Sequence, residues 1–163
     1  MPGVEIRFYQ SNYLGSTVDC FIQLLLHYSP EKIFRKSALR EKITKKFADD
    51  LSSQKLIVAL DCEQVVGLAT MAELFPAVDD TTQLFLKDLF VIKDYRRRGI
   101  ATEIMKFISQ YAIDSDMSRI DWLVDSDNDA AMSFYKRLVN SPMSYKTVFR
   151  LENEALRKVS AER

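Results

Sequence analysis

Residues 94–102, Asp-Tyr-Arg-Arg-Arg-Gly-Ile-Ala-Thr, could bind an anion at the beginning of a helix. The first turn of a helix carries backbone N–H groups without intrahelical partners, and the helix dipole adds partial positive charge there. A pyrophosphate fits such an end. Gly99 and Ala101 let the phosphate approach the backbone, Thr102 offers a hydroxyl, and the arginines at 96–98 add positive charge.

The alternative for these arginines is an exposed basic surface, such as one that binds nucleic acid. Lysine plus arginine number 23 and aspartate plus glutamate number 23, so the formal net charge is zero. A nucleic-acid-binding protein relies on excess positive charge to neutralise phosphates. We therefore expect no nucleic-acid partner. The chain has only four glycines, and their positions form neither a G-x-G-x-x-G nor a P-loop motif.

Few other residues suggest chemistry. Cys20 and Cys62 lie far apart and His27 is the single histidine, so we predict neither a disulfide nor a metal site. Both thiols are expected to be buried, and His27 to be packed or to lie at the surface. Residues 125–129, D-S-D-N-D, resemble the opening of a calcium loop, but the glycine and glutamate that such a loop requires are missing.

Composition and length predict one soluble domain, residues 1–163. Hydrophobic residues make up 47% and charged residues 28% of the chain, as in ordinary globular proteins. No apolar stretch approaches the ~20 residues that a membrane-spanning helix needs. The N-terminus lacks the basic and long apolar regions of a signal peptide. We therefore expect a cytoplasmic protein without a membrane partner.

Hydrophobic periodicity predicts an α/β fold, a mixed central sheet of six to seven strands with about four flanking helices. The predicted order is β-α-α-β-β-β-α-β-α-β. Predicted strands cover residues 4–8, 56–60, 65–74, 84–92, 120–124 and 145–151. Predicted helices cover residues 17–28, 37–51, 100–115 and 130–138, and a short terminal helix covers 153–159. Gly67 is expected at a bulge or at a close approach of two backbones.

Two motifs resemble those of the GNAT superfamily of N-acetyltransferases. Residues 96–101, R-R-R-G-I-A, are similar to its Q/R-x-x-G-x-G/A signature, after the fourth strand and at the opening of the third helix. Residues 128–138, N-D-A-A-M-S-F-Y-K-R-L, look like its second motif. Residues 86–104 and 134–138 are most similar to small-amine acetyltransferases of the diamine (spermidine/spermine) type and, more loosely, to the aminoglycoside 3-N type. The similarity is weakest before residue 50.

The resemblance implies acetyl-CoA as cosubstrate, direct transfer to an amine in a ternary complex, and no metal. It places the pyrophosphate on the backbone amides at the start of the third helix, and the pantetheine arm along the fourth strand. The residues expected to contact the cosubstrate are Leu89, Phe90, Val91, Arg96, Arg97, Arg98, Gly99, Ile100, Ala101, Thr102, Asn128 and Ala131. Holding both reactants in place supplies much of the rate enhancement.

The resemblance also implies that Tyr135 donates a proton to the departing thiolate. A phenol with a pKa near ~10 is only modestly weaker an acid than a thiol near ~8.5. The alternative for Tyr135 is a packed aromatic residue next to Phe134. Val139 stands where relatives carry a glycine that ends the motif helix, and Asn140 could take that role one residue later.

The acceptor side departs from the diamine type. Lys87 replaces a glutamate, giving L-K-D-L, and Ser29 stands where an acidic residue is expected at the end of the first helix. Polyamine specificity is therefore disfavoured. Asp88 matches the aspartate that the aminoglycoside 3-N type uses near its acceptor amine, and it is the leading base or amine-binding residue. The alternative for Asp88 is a structural carboxylate paired with Lys87. We expect the acceptor to contact Tyr28, Lys87, Asp88 and Trp122.

The predicted function is acetyl-CoA-dependent acetylation of a primary amine on a small molecule, such as a diamine, an amino acid or an aminoglycoside-like compound. A homodimer is expected. Two alternatives stay open: a protein lysine or N-terminal acetyltransferase, and a CoA-binding or interaction module without catalysis.

Overall fold

The computed structural model describes residues 3–47, 52–77, 80–139 and 147–161. The chain forms two compact units, Met1–Leu123 and Val124–Arg163. The first unit contains strands β1 (Glu5–Phe8), β2 (Gln54–Asp61), β3 (Gln64–Leu74), β4 (Thr82–Val91) and β5 (Met117–Trp122), and helices α1 (Leu14–Tyr28), α2 (Lys36–Lys46) and α3 (Ile100–Asp114). The second contains helices α4 (Asp129–Lys136) and α5 (Asn153–Ala161).

The five strands form one mixed sheet in the order β1-β2-β3-β4-β5. The first three pairings are antiparallel, and β4 and β5 pair in parallel. The α/β fold and the mixed sheet were predicted correctly, but the six to seven predicted strands exceed the five that the described residues form. The predicted last strand is described only over residues 147–151. These residues pair with no strand, and Phe149 is exposed. Alternating apolar residues form a strand only against a partner.

The core of the first unit lies on the central strands, which read as continuous apolar runs. Every residue of β2 from Leu56 to Leu60 is buried, because both faces of the sheet are covered there. On α3, Ile100, Ile104 and Ile108 recur every four residues and are all buried. This spacing is typical of the core-facing side of an amphipathic helix. This packing holds the beginning of α3 close behind the end of β4, with only residues 92–99 between them.

Two β-bulges interrupt the ladder near the end of β4 that leads into α3. On β3, Gly67 pairs with Ala59 and Val65 with Leu60, so that Val66 is the additional residue. A Cβ at Gly67 would lie 3.0 Å from the backbone oxygen of Phe90. The prediction that Gly67 lies at a bulge and a close backbone approach is confirmed.

The second bulge is on β4 itself. Thr70 pairs with Asp88 and Met71 with Leu86, which leaves Lys87 as the additional residue. Successive side chains of a regular strand point to opposite faces of the sheet. A bulge interrupts this alternation, so the side chains of the neighbouring residues Lys87 and Asp88 need not point to opposite faces of the sheet.

In the part of the chain that the structure describes, no helix is both long enough and apolar enough to cross a membrane.

Candidate active site

The segment between β4 and α3 ends at a helix N-terminus with unpaired backbone N–H groups. Gly99 is the N-cap of α3 and has φ +82°, a left-handed conformation that L-residues rarely adopt. The first intrahelical bond runs from the N–H of Glu103 to the carbonyl of Gly99. The N–H groups of residues 100–102 precede this bond and therefore lack intrahelical acceptors. A Cβ at Gly99 would meet no atom within 4 Å, so backbone conformation, not crowding, requires glycine here.

Two of the three arginines contact residues close to them in the sequence, at the end of β4 and in the loop. Nε of Arg96 donates a 2.9 Å hydrogen bond to the carbonyl of Val91, and its guanidinium lies 5.4 Å from the centre of the Phe90 ring. The guanidinium of Arg98 lies 4.7 Å from the centre of the Tyr95 ring. Arg96 thus stabilises the turn from strand to helix. The structure places Arg97 in a left-handed conformation, φ +59°, with an exposed side chain.

The last part of β4 has an edge without a strand partner among the described residues. Pairing with β5 covers only Thr82 to Leu86. The N–H of Ile92 and the carbonyl of Phe90 both face β3. Because peptide groups alternate in direction along a strand, those of Leu89 and Val91 face the unpaired side. An extended group could pair with this edge, as predicted for the pantetheine arm.

Asp88 is the centre of a polar cluster beside this edge. Thr70 donates a 2.6 Å hydrogen bond to Oδ2 of Asp88, and the hydroxyl of Tyr28 donates a 2.9 Å bond to Oδ1. Nζ of Lys87 lies 3.4 Å from Oδ1 and 5.8 Å from the centre of the Tyr28 ring. The Asp88 side chain is only 13% exposed, whereas that of Lys87 is 68% exposed. The structure therefore brings Tyr28, Lys87 and Asp88 together, and adds Thr70.

A cavity of about 240 Å³ opens beside this cluster, on the side of the sheet that α1 and α2 cover. Lys87 and Asp88 both line it, as the bulge on β4 allows. Its full lining consists of Phe21, Lys42, Ile43, Lys46, Phe47, Gln54, Thr70, Met71, Ala72, Lys87 and Asp88. The cavity combines an apolar wall with a few polar groups, the usual make-up of a small-molecule site.

Two further residues lie near the cluster: Trp122, predicted to contact the acceptor, and His27, which was not predicted to be a site residue. Trp122 is half-buried at the end of β5 and pairs with Leu86 on β4. This is the last residue pair between the two strands. The exposed ring of His27 lies 6.0 Å from that of Tyr28 and 6.3 Å from that of Phe90, in line with the prediction that it is packed or at the surface.

The second unit contains the remaining predicted site residues. Asn128 is the N-cap of α4, and its Oδ1 accepts a 3.1 Å hydrogen bond from the N–H of Ala131. On the same helix the Tyr135 ring packs edge-on against Phe134, with the ring centres 5.0 Å apart. Burial raises the pKa of Tyr135 to about 12. Tyr135 is therefore a weaker acid than an ordinary phenol with a pKa near ~10.

The end of α4 accommodates Val139 without strain. The helix ends at Lys136, its C-cap residue Arg137 keeps right-handed helical angles, and the N–H of Val139 donates to the carbonyl of Tyr135. Val139 is not among the residues with positive φ, so no glycine is required there. Asn140, predicted to replace the motif glycine, lies outside the described residues.

One cysteine prediction was wrong. Cys20 is buried in α1, and burial raises the pKa of its thiol to about 12. Cys62 is exposed instead, because it occupies the turn between β2 and β3 in a left-handed conformation, φ +56°. The described residues contain no group of three or more His, Cys, Asp or Glu side chains arranged to hold a metal ion.

Comparison with known proteins identifies the family of this fold and loop. Residues 21–139 match the model of the acetyltransferase (GNAT) family. The chain belongs to the GNAT family. The matched region contains the helix end at Gly99, the open edge of β4, the Asp88 cluster and the Tyr135 helix.

Several GNAT acetyltransferases are similar in sequence. Bovine thialysine N-ε-acetyltransferase is 30% identical over 82 residues, which are 48% of this chain and 48% of that protein. The L-ornithine N5-acetyltransferase NATA1 of Arabidopsis thaliana is 22% identical over 95 residues, 58% of this chain and 42% of that protein. The chain spans about half the length of the curated relatives that it matches.

Solved structures agree on the GNAT fold. An integron cassette protein from the mobile metagenome of V. cholerae is 30% identical and has a TM-score of 0.89. The match covers 99% of this chain and 100% of that one. An aminoglycoside acetyltransferase from a soil metagenome, solved with sisomicin, has a TM-score of 0.70 at 17% identity over 92% of this chain and 95% of that one. At that identity the second similarity concerns the fold alone.

Proposed function

We propose that this chain is an acetyl-CoA-dependent N-acetyltransferase that acetylates a primary amine of a small molecule. The observation that carries this proposal is the position of Asp88. Its carboxylate lines a small cavity on one side of β4 and lies one residue before the open edge at Leu89. Family membership and relatives named for thialysine and ornithine acetylation support the same reaction.

The residues present fit acetyl-CoA. The left-handed Gly99 exposes the amides of residues 100–102 at the beginning of α3, where an anion is stabilised by the helix dipole. Leu89 and Val91 offer peptide groups for an extended pantetheine arm, although the carbonyl of Val91 already accepts one bond from Arg96. When bound, acetyl-CoA supplies the thioester that acylates the amine.

The acceptor amine is assigned to Asp88. The hydroxyls of Tyr28 and Thr70 fix both carboxylate oxygens, and further lone pairs remain to accept a hydrogen bond from an ammonium group. The amine has to lose one proton before it attacks, and the Asp88 carboxylate, directly or through water, is the group that we assign to receive it. Because the side chain is held on two sides, the amine is oriented for attack along the edge of β4.

Tyr135 is assigned to protonate the leaving thiolate. With its pKa raised to about 12, the phenol stays protonated at neutral pH, which is the state that a proton donor needs. The amine nitrogen forms the new C–N bond, the C–S bond breaks, and the thiolate receives the phenolic proton. The products are an N-acetylated amine and the free thiol.

A panel of amines tests the proposed function. Purified protein, acetyl-CoA and single amines from the diamine, amino-acid and aminoglycoside classes are assayed for thiol release, and the product is identified by mass spectrometry. We expect one class of small amine to give saturable turnover and an N-acetylated product. Acetylation of peptides alone would favour the protein acetyltransferase, and CoA binding without turnover on any acceptor would favour a non-catalytic module.

The predicted homodimer and cytoplasmic location stay predictions. Light scattering coupled to size-exclusion chromatography tests the first, and a mass of one chain under assay conditions would exclude it.

A further inference from the structure

We propose that the acceptor is a primary amine that also carries an anionic group, a carboxylate or a phosphate, separated from the amine by an apolar chain. This inference rests on the proposed function and specifies its substrate class. Its basis is the charge around the 240 Å³ cavity, which is not the charge that a polycationic acceptor would need.

Lysines outnumber carboxylates among the described residues of this cavity. Lys42, Lys46 and Lys87 line it, and Asp88 is the single acidic residue of the lining. Lys87 already lies 3.4 Å from the Asp88 carboxylate. Lys42 and Lys46 form no ion pair with a described residue, although Lys36 on the same helix is paired with Asp19 at 2.6 Å. Among the described residues of the lining, positive charges therefore exceed negative charges by two.

Lys42 and Lys46 are two exposed like charges on the same helix. They lie four residues apart on α2, so that they are neighbours on one face, and like charges at this spacing repel each other. Lys46 is in the last turn, where the helix dipole favours a cation. The dipole does not account for Lys42, and Lys87, on the bulge of β4, lines the same cavity beside its ion pair with Asp88.

The cavity has distinct places for the two ends of such an acceptor. Asp88, fixed by Tyr28 and Thr70, is the one described carboxylate that can bind the amine. Lys42 and Lys46 on α2 offer ammonium groups to the anion. The apolar side chains available to the intervening chain are Phe21, Ile43, Phe47 and Met71.

Charge disfavours diamines and polyamines, and size disfavours aminoglycosides. The volume of about 240 Å³ is below the ~300–1,000 Å³ typical of sites for drug-sized ligands and agrees with a small acceptor. A second ammonium group on the acceptor would face Lys42 and Lys46 without a compensating carboxylate from the described lining. A carboxylate or phosphate at the same position would bind both lysines.

A matched series of acceptors tests this inference. Aminohexanoate, its carboxamide, diaminohexane and an aminoalkyl phosphate of equal length share one amine and differ in the charge of the far end. We expect kcat/KM for the better of the two anionic acceptors to exceed that for the carboxamide by about 10-fold, and diaminohexane to be the poorest. The comparison of carboxylate with phosphate identifies the anion.

Lysine variants test whether Lys42 and Lys46 cause the preference for an anionic acceptor. The double variant Lys42→Gln, Lys46→Gln should raise KM for the anionic acceptor by about 10-fold or more, leave kcat nearly unchanged, and leave the carboxamide unaffected. Lys45→Gln is the matched control, since Lys45 lies on α2 but does not line the cavity. It should retain the full preference.

The outcomes separate the two proposals. A wild-type protein that prefers diaminohexane, or a double variant that keeps the anion preference, would overturn this inference while the N-acetyltransferase activity stands. A protein that acetylates none of the amines would overturn the proposed function, and this inference with it.

Discussion

The hydroxyl of Tyr28, the last residue of α1, donates a 2.9 Å hydrogen bond to Oδ1 of Asp88 on β4, a residue 60 positions further along the chain. Thr70 on β3 donates to the other carboxylate oxygen at 2.6 Å. One carboxylate is thus fixed by a helix and by a neighbouring strand. The ion pair with Lys87, at 3.4 Å, is longer than either hydroxyl contact and involves a largely exposed lysine. Surface ion pairs of this kind contribute little.

Removing the negative charge of Asp88 should abolish most of the acetylation of the amine acceptor. We expect Asp88→Asn to lower kcat/KM for the amine about 10²–10⁴-fold, the usual effect of losing a general base, with CoA affinity unchanged. Tyr28→Phe should cost about 10-fold, because it removes one orienting hydrogen bond to a charged group. Asp19→Asn is the control, since Asp19 forms an exposed ion pair with Lys36. An Asp88→Asn variant with wild-type kinetics would show that Asp88 is a structural carboxylate.

Tyr135 should support activity throughout the alkaline range that the protein tolerates. The protonated phenol is the donor, and a pKa raised to about 12 means that this proton is kept as the pH rises well past the ~10 of a free tyrosine. The profile of kcat should rise as the acceptor amine loses its proton, and should show no decline below pH ~10 that depends on Tyr135.

The variant Tyr135→Phe checks this role directly. It should lower kcat by about 10²–10⁴-fold at every pH, with unchanged affinity for CoA in calorimetry. Full activity of the phenylalanine variant, or a decline of wild-type kcat near pH 9 that the variant lacks, would contradict the assignment.

Gly67→Ala should destabilise the sheet beside the site. The new Cβ would lie 3.0 Å from the Phe90 oxygen and 3.3 Å from a methyl group of Val91, both on β4. Overpacking of this kind costs about 1–3 kcal/mol, and each kcal/mol lowers the melting temperature by roughly 2–4 °C in a domain of this size. Gly3→Ala is the control, because its Cβ would meet no atom within 4 Å. Equal melting temperatures for the two variants would show that the β3–β4 contact is not tight.

The two thiols should react differently with a thiol reagent. Cys62 is exposed, whereas Cys20 is 1% exposed and burial raises its pKa to about 12, so that its reactive thiolate form is disfavoured. We expect one reactive thiol per chain in the native protein and two in denaturant, measured by absorbance with an aromatic disulfide reagent. Loss of the native signal in Cys62→Ser would confirm the assignment, and two fast thiols in native protein would contradict it.

Local patterns predicted much of the fold because they reflect one element at a time. The spacing of Ile100, Ile104 and Ile108 indicated the buried face of α3, and the single glycine before them indicated its beginning. Continuous apolar runs indicated β2 and β4. The strand predicted at 145–151 was wrong in its described part, since forming a ladder depends on a partner that local pattern does not reveal.

The site was predicted less completely because it depends on register between elements. Thr70 was missed, since its contact with Asp88 requires the β3–β4 pairing and the bulge at Lys87. Neither leaves a local signal in the sequence. The position of the exposed Lys42 and Lys46 beside this cavity was not predicted, because it depends on the tertiary packing of α2. The pKa of Tyr135 likewise reflects burial, which residue type alone does not determine.

Titration calorimetry with the wild type, Gly99→Ala and Gly15→Ala tests whether coenzyme A binds at the beginning of α3. The wild type should bind one coenzyme A per chain with a Kd between about 1 μM and 1 mM, the range typical of substrates. Gly99→Ala should weaken binding about 10-fold, because a φ of +82° costs an L-residue roughly 1–2 kcal/mol and relaxation would displace the amides of residues 100–102. Gly15→Ala, whose Cβ would lie 4.0 Å from Arg40, should bind like the wild type. Absence of heat with the wild type at millimolar coenzyme A, or equal affinity for all three proteins, would contradict the account.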